Sequence, residues 1–184
     1  MKSLVKKTLV LSAMAALSLP ALAKMTLFSE DMSHGAFLKN AQVFNGFGCS
    51  GENKSPQLTW SGAPEGTKFF AVFAYDPDAP TGSGWWHWQL VNIPAEVTSL
   101  ASGAGAVGDE HLPKGAMQLR NDYGSAGFGG ACPPVNDGAH RYLFTVYALP
   151  GKLDLSPDAS AALTGYMVQA NALDSVTMQA LYKR

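Results

Sequence analysis

Residues 75–94 read YDPDAPTGSGWWHWQLVNIP and set two acids, three tryptophans and a histidine between a proline-punctuated turn and an apolar run. Pro77 and Pro80 each remove a backbone donor and push the preceding residue toward extended geometry, so Asp76–Pro80 reads as a rigid turn and not a helix. Past Gly82 and Gly84, Trp85–Ile93 reads as a strand. Period-two alternation puts Trp85, His87, Gln89 and Val91 on one face, with Trp86, Trp88 and Leu90 on the other. On this stretch alone His87 fits a hydrogen-bonded core histidine better than a ligand-facing one.

Outward from this strand, Thr67–Tyr75 (TKFFAVFAY) is a continuous apolar and aromatic run of strand length, the kind buried on both faces, and it delivers Asp76 to the turn. Further on, residues 129–149 (GGACPPVNDGAHRYLFTVYAL) repeat the layout, a glycine and diproline loop feeding a strand that opens with polar residues. On that strand His140, Tyr142, Phe144 and Val146 share one face and Arg141, Leu143, Thr145 and Tyr147 the other. His140 and Tyr142 can therefore look into the same pocket as His87.

The DPDAP turn, the W-H strand ending in VNIP, and the PP loop before HRY occur here in that order, and together they resemble the phosphatidylethanolamine-binding protein family, whose members are also called Raf kinase inhibitor-like proteins. The likeness runs from about Met25 to Arg184. It implies a mainly β, β-rich α+β fold: a β-sandwich with a large central antiparallel sheet, a smaller second sheet and about one C-terminal helix. It also implies a small pocket for phosphate-like head groups. Matched motif by motif, that pocket is lined by Asp76, Pro80, Trp85, His87, Gly130, His140 and Tyr142, with Cys132 beside the diproline contributing its amide. A cis Ala79–Pro80 bond is a further expectation of the likeness.

Residues 1–23 carry Lys2, Lys6 and Lys7, an apolar run from Thr8 to Leu19, then Pro20 and Ala21-Leu22-Ala23, the pattern of a secretory signal peptide. The run is too short for a membrane anchor, which needs about 20 apolar residues. The expected organisation is a leader over 1–23 and a single domain over 24–184, exported, with the bacterial periplasm the expected destination and no membrane span in the mature chain. Loss of three lysines leaves 10 basic against 14 acidic side chains, a net charge of −4. Basic residues so few and so scattered argue against nucleic acid as a partner.

Gly46–Gly51 and Gly103–Gly108 both match GxGxxG by spacing, but Pro56 and Pro113 follow them and no helix opens there, so both read as loops and not as dinucleotide sites. Ala95–Lys114 reads as a surface connection. Residues 121–130 (NDYGSAGFGG) are rich in glycine, and such a loop can turn consecutive amides toward an anion. Ser156 with Pro157 and Asp158 reads as the cap of a helix running to about Ala170, and Val176, Met178, Ala180 and Tyr182 alternate as a last strand. In an exported chain, Cys49 and Cys132 read as a disulfide, the alternative being two separate buried thiols.

GxSxG, a Walker loop, HExxH and zinc spacing are all missing from the sequence, so no catalytic residue, cofactor or metal is assigned. The leading expectation is a non-enzymatic binder of a small anionic or phosphorylated ligand, in which Asp76 beside His87 favours the imidazolium. Two alternatives accompany it. One is a hydrolase or other enzyme using Asp76 and His87 as acid and base. The other is a protein partner whose phosphorylated or acidic segment docks at the pocket or its rim.

Overall fold

The computed structural model describes residues 24–108 and 110–184; the leader assigned to 1–23 lies outside them. Ten strands and one α-helix follow one another as β1 (Thr26–Phe28), β2 (Asn45–Gly46), β3 (Cys49–Ser50), β4 (Leu58–Ser61), β5 (Phe69–Asp76), β6 (Trp85–Pro94), β7 (Ser99–Leu100), β8 (Met117–Gln118), β9 (His140–Leu149), α1 (Ala161–Asn171) and β10 (Asp174–Tyr182). Five of them form the large antiparallel sheet in the order β10-β9-β5-β6-β8, three form a smaller sheet, β1-β4-β7, and β2 and β3 form a hairpin. The expected mainly β sandwich with one helix is the observed fold.

The apolar run of β5 makes it the middle strand, and it is buried on both faces as its composition requires. Phe70, Val72 and Ala74 join Leu58, Trp60 and Leu100 of the small sheet, while Ala71 and Phe73 join Val91, Leu119 and Val168 beneath the helix. Two cores thus clamp one sheet. Burying a large apolar side chain contributes about 1.5–3 kcal/mol, so this strand is where a polar substitution costs most. Among the described residues no helix is long and apolar enough to cross a membrane.

Three expectations need correction. The helix starts at Ala161, not at Pro157. Ser160 is extended and its side chain accepts from the Leu163 amide at 3.2 Å, whereas Ser156 merely closes a local turn on the Asp158 amide. Ala95–Lys114 is not all surface, because β7 pairs with β4, Leu100 and Ala104 are buried, and Gly105 lies so close to Trp88 that a Cβ there would sit 2.8 Å from the ring. No peptide bond among the described residues is cis, and Ala79–Pro80 is trans.

Candidate functional site

Both aspartates of the DPDAP turn bind the HR pair that opens β9, and this brings the two proline-rich corners together. Asp76 Oδ2 meets His140 Nδ1 at 2.7 Å, both side chains being almost wholly buried. Asp78 holds Arg141 three ways, by the backbone amide at 2.8 Å, Nε at 2.9 Å and Nη2 at 2.6 Å. A guanidinium fork suits a carboxylate geometrically, and it draws the Asp78 carboxyl down to about 2. Asp78 also donates its own amide to Asp76 Oδ1 at 2.8 Å, so the turn is rigid from within.

β6 departs from the alternation read in the sequence. Along β5, Ala74 pairs with Trp88 and the next residue, Tyr75, with Trp86, which leaves His87 as an extra residue on β6. Such a bulge turns a side chain to the opposite face. His87 consequently sits against Tyr142 and Trp88 against Phe128 on the inter-sheet side, while Trp86, Gln89 and Val91 contact the helix layer. A second irregularity lies between the Val72–Leu90 and Phe70–Ile93 pairs, where buried Asn92 takes φ 59° and clamps Leu153 by its amide and carbonyl.

One cavity of about 290 Å³ opens between the corners. Asp76, Pro80, Trp85, His87, Cys132, His140 and Tyr142 all line it. Gly130 does not: its amide donates to Asn53 Oδ1 at 2.7 Å and its carbonyl accepts from the Tyr123 hydroxyl at 3.0 Å. Its lack of a side chain serves packing, since a Cβ would lie 2.5 Å from the Gln42 carbonyl. The neighbouring Gly129 amide donates to the His87 carbonyl and the Ala131 amide to Gln42, so the expected cradle of free glycine amides is not formed at these positions.

The sequence reading missed Phe47, Ala79, Thr81, Tyr123 and the two prolines 133 and 134, which complete the wall. Phe47 stacks on Phe44 and Tyr123, and Tyr123 meets Trp85 edge-on at 5.2 Å. Only the pairing of Cys49 with Cys132 could have brought Phe47 into view from the sequence. That bond is present, and it sews the hairpin to the diproline loop.

The two histidines are electrostatic opposites. Burial pushes the His87 imidazole below its usual value despite the Gly129 carbonyl, 2.6 Å from Nδ1, and the charge of Asp76. Asp76 favours the charged His87 ring as expected, but burial outweighs it, and the carboxylate's hydrogen bond goes to His140 instead. There burial opposes the charge, but Asp76, together with Asp137 at 3.3 Å from Nε2, outweighs it and raises the pKa. When His140 is protonated, the two carboxylates beside it offset its charge. Burial and the Asp76 charge push the Tyr142 and Tyr123 phenols upward, so both are hydroxyl donors at neutral pH.

Two donors of wall residues have no partner among the described residues: the Tyr142 hydroxyl and the Trp85 indole Nε1, both buried. Orphaned buried donors cost roughly 1–3 kcal/mol each unless something else accepts from them. No group of three or more His, Cys, Asp or Glu among the described residues is placed to hold a metal ion.

The family described as phosphatidylethanolamine-binding protein matches residues 28–183 of this chain. Escherichia coli UPF0098 protein YbcL is 54% identical over 156 residues, which cover 84% of this chain and 85% of YbcL. Escherichia coli UPF0098 protein YbhB is 46% identical over 159 residues, covering 86% of this chain and 99% of YbhB. The crystal structure of Escherichia coli YbcL, described as a new member of the mammalian family, superposes with a TM-score of 0.86 at 53% identity, over 88% of this chain and 99% of that one. The chain belongs to the phosphatidylethanolamine-binding protein family.

Proposed function

We propose that the protein is an exported, non-enzymatic binder whose cavity takes a small anionic group, phosphate or a phosphorylated head group. The observation that carries this reading is the pair of buried, unpartnered donors, Tyr142 hydroxyl and Trp85 Nε1, on the wall shared with the His140–Asp76 ion pair. A ligand that shifts these side chains as it enters would offer them the acceptor they lack. Neutral donors and one offset imidazolium, in place of free lysine or arginine, predict weak affinity and a preference for ligands of low net charge. The disulfide supports export, as do the features of residues 1–23. Docking of a phosphorylated segment of a partner protein would use the same donors.

The acid–base alternative loses the pairing it was built on, since His87 hydrogen-bonds a carbonyl and not Asp76. Titration of the protein with inorganic phosphate, phosphoethanolamine and a phosphopeptide, following the His87 and His140 imidazoles by NMR, tests the proposal. Saturable shifts in either ring support it. Silence from both rings with all three ligands would sink it, and turnover of phosphate esters that disappears in His140→Ala would restore the enzyme reading.

A further inference from the structure

The Cys49–Cys132 bond is part of the cavity. Cys132 lines it, and Cys49 opens β3 of the hairpin whose tip residue, Phe47, forms part of the wall. The hairpin is slight. Its ladder has two residue pairs, Asn45 with Ser50 and Gly46 with Cys49. Its tip runs through three successive residues at positive φ, with Phe47 at 51°, a conformation uncommon for a bulky side chain.

Apart from the disulfide, little holds the tip. Phe47 is 71% exposed despite its stack on Phe44 and Tyr123, and Arg184 reaches its carbonyl only at 3.5 Å. The facing loop has a firmer anchor of its own, Arg184 Nε donating to the Pro133 carbonyl at 2.6 Å. The base of the hairpin is likewise fixed, with the Phe44 amide on the Ala131 carbonyl and the Gly51 amide on the Phe44 carbonyl. Neither cysteine belongs to either hydrophobic core, and both are only half-buried. Cutting the bond therefore removes the main tie on one wall and leaves the packed sheets alone.

We propose that this disulfide is a redox lock on the cavity: reduction by a dithiol frees the Phe47 tip and opens the wall, while both cores remain folded. Its effect on ligand affinity rests on the anion-cavity reading above. The exchange balances without a cofactor. One thiolate of the dithiol attacks a sulfur of the bridge, forming a mixed disulfide and expelling the other cysteine as thiolate. The second thiolate of the dithiol then displaces the first cysteine, so two electrons and two protons pass to Cys49 and Cys132 and the dithiol leaves as a disulfide.

The test compares backbone order parameters of the oxidised protein, the protein reduced with dithiothreitol, and the Cys49→Ser/Cys132→Ser chain, each also titrated with phosphoethanolamine. In both unbridged forms, order parameters over 45–50 should fall from about 0.85 to below about 0.6, with β5, β6 and β9 unchanged. Phosphoethanolamine should bind them at least about tenfold more weakly. A hairpin that stays rigid when unbridged overturns the lock, as does loss of order throughout the large sheet, which would make the bond a general staple. Equal affinity in bridged and unbridged forms overturns it too. A hairpin that loosens while the oxidised protein binds none of phosphoethanolamine, inorganic phosphate and the phosphopeptide supports the lock on the wall and rejects the anion-cavity reading.

Discussion

Tyr142 carries a hydroxyl that none of the described residues hydrogen-bonds, so removing it separates a ligand contact from a structural one. Tyr142→Phe should keep or raise stability by up to about 1 kcal/mol in urea unfolding, because an orphaned buried donor is relieved, while phosphate affinity falls about tenfold. A structural role would give the reverse pattern. The histidines make a second residue-scale prediction. His87 titrates lower in the folded chain than in the unfolded one, so acidification below about pH 6.5 protonates the unfolded state preferentially and destabilises. His140 titrates higher when folded; its contribution is full below about pH 6.5 and is lost as pH rises through the folded value. Between them they put a maximum in Tm near pH 6.5. His87→Gln should flatten the acid limb and His140→Gln the alkaline limb, measured as Tm against pH.

At the scale of elements, the helix start is the sharpest test of local reasoning. Ser160→Ala should cost about 1 kcal/mol by urea unfolding, since it strips the cap from the Leu163 amide, whereas Ser156→Ala should stay within about 0.5 kcal/mol. In the sequence, Pro157 at a first helical position and Asp158 beside it favour Ser156 as the cap. What decides against Ser156 is that the segment from Leu153 to Ala159 is pinned beneath the large sheet, Leu153 to Asn92 and Ala159 in the helix-side core, before the chain is free to coil. β6 teaches the same lesson. Four consecutive residues, WWHW, offer no mark of where a bulge falls, and a one-residue insertion reverses the face of everything beyond it.

For the whole molecule, the disulfide closes a loop between residues 83 apart, nearly half the chain. Constraint of so long a loop in the unfolded state corresponds to about 4 to 5 kcal/mol in the chain-entropy picture, and urea unfolding with and without reductant should show a loss of that order. A domain of ordinary stability, about 5–15 kcal/mol, survives such a loss, which is what permits the reduced state to be folded with an open wall. The two cores explain why: one lies between the sheets and one beneath the helix, and neither uses the hairpin that the bond restrains.

The sequence by itself determined the strand-rich fold, the double-sided burial of β5, and the convergence of DPDAP, W-H and HRY on one cavity. Apolar runs, prolines and turn residues act locally, and their pattern is written in the order of the chain. Only tertiary structure decided which carboxylate meets which histidine, that burial lowers the His87 pKa, that the glycines at 129 and 130 serve packing, and that Phe47 and Tyr123 close the wall. Those outcomes depend on one-residue bulges and on contacts between segments tens of residues apart, where a shift of a few ångströms, invisible in any local pattern, chooses the partner and with it the charge.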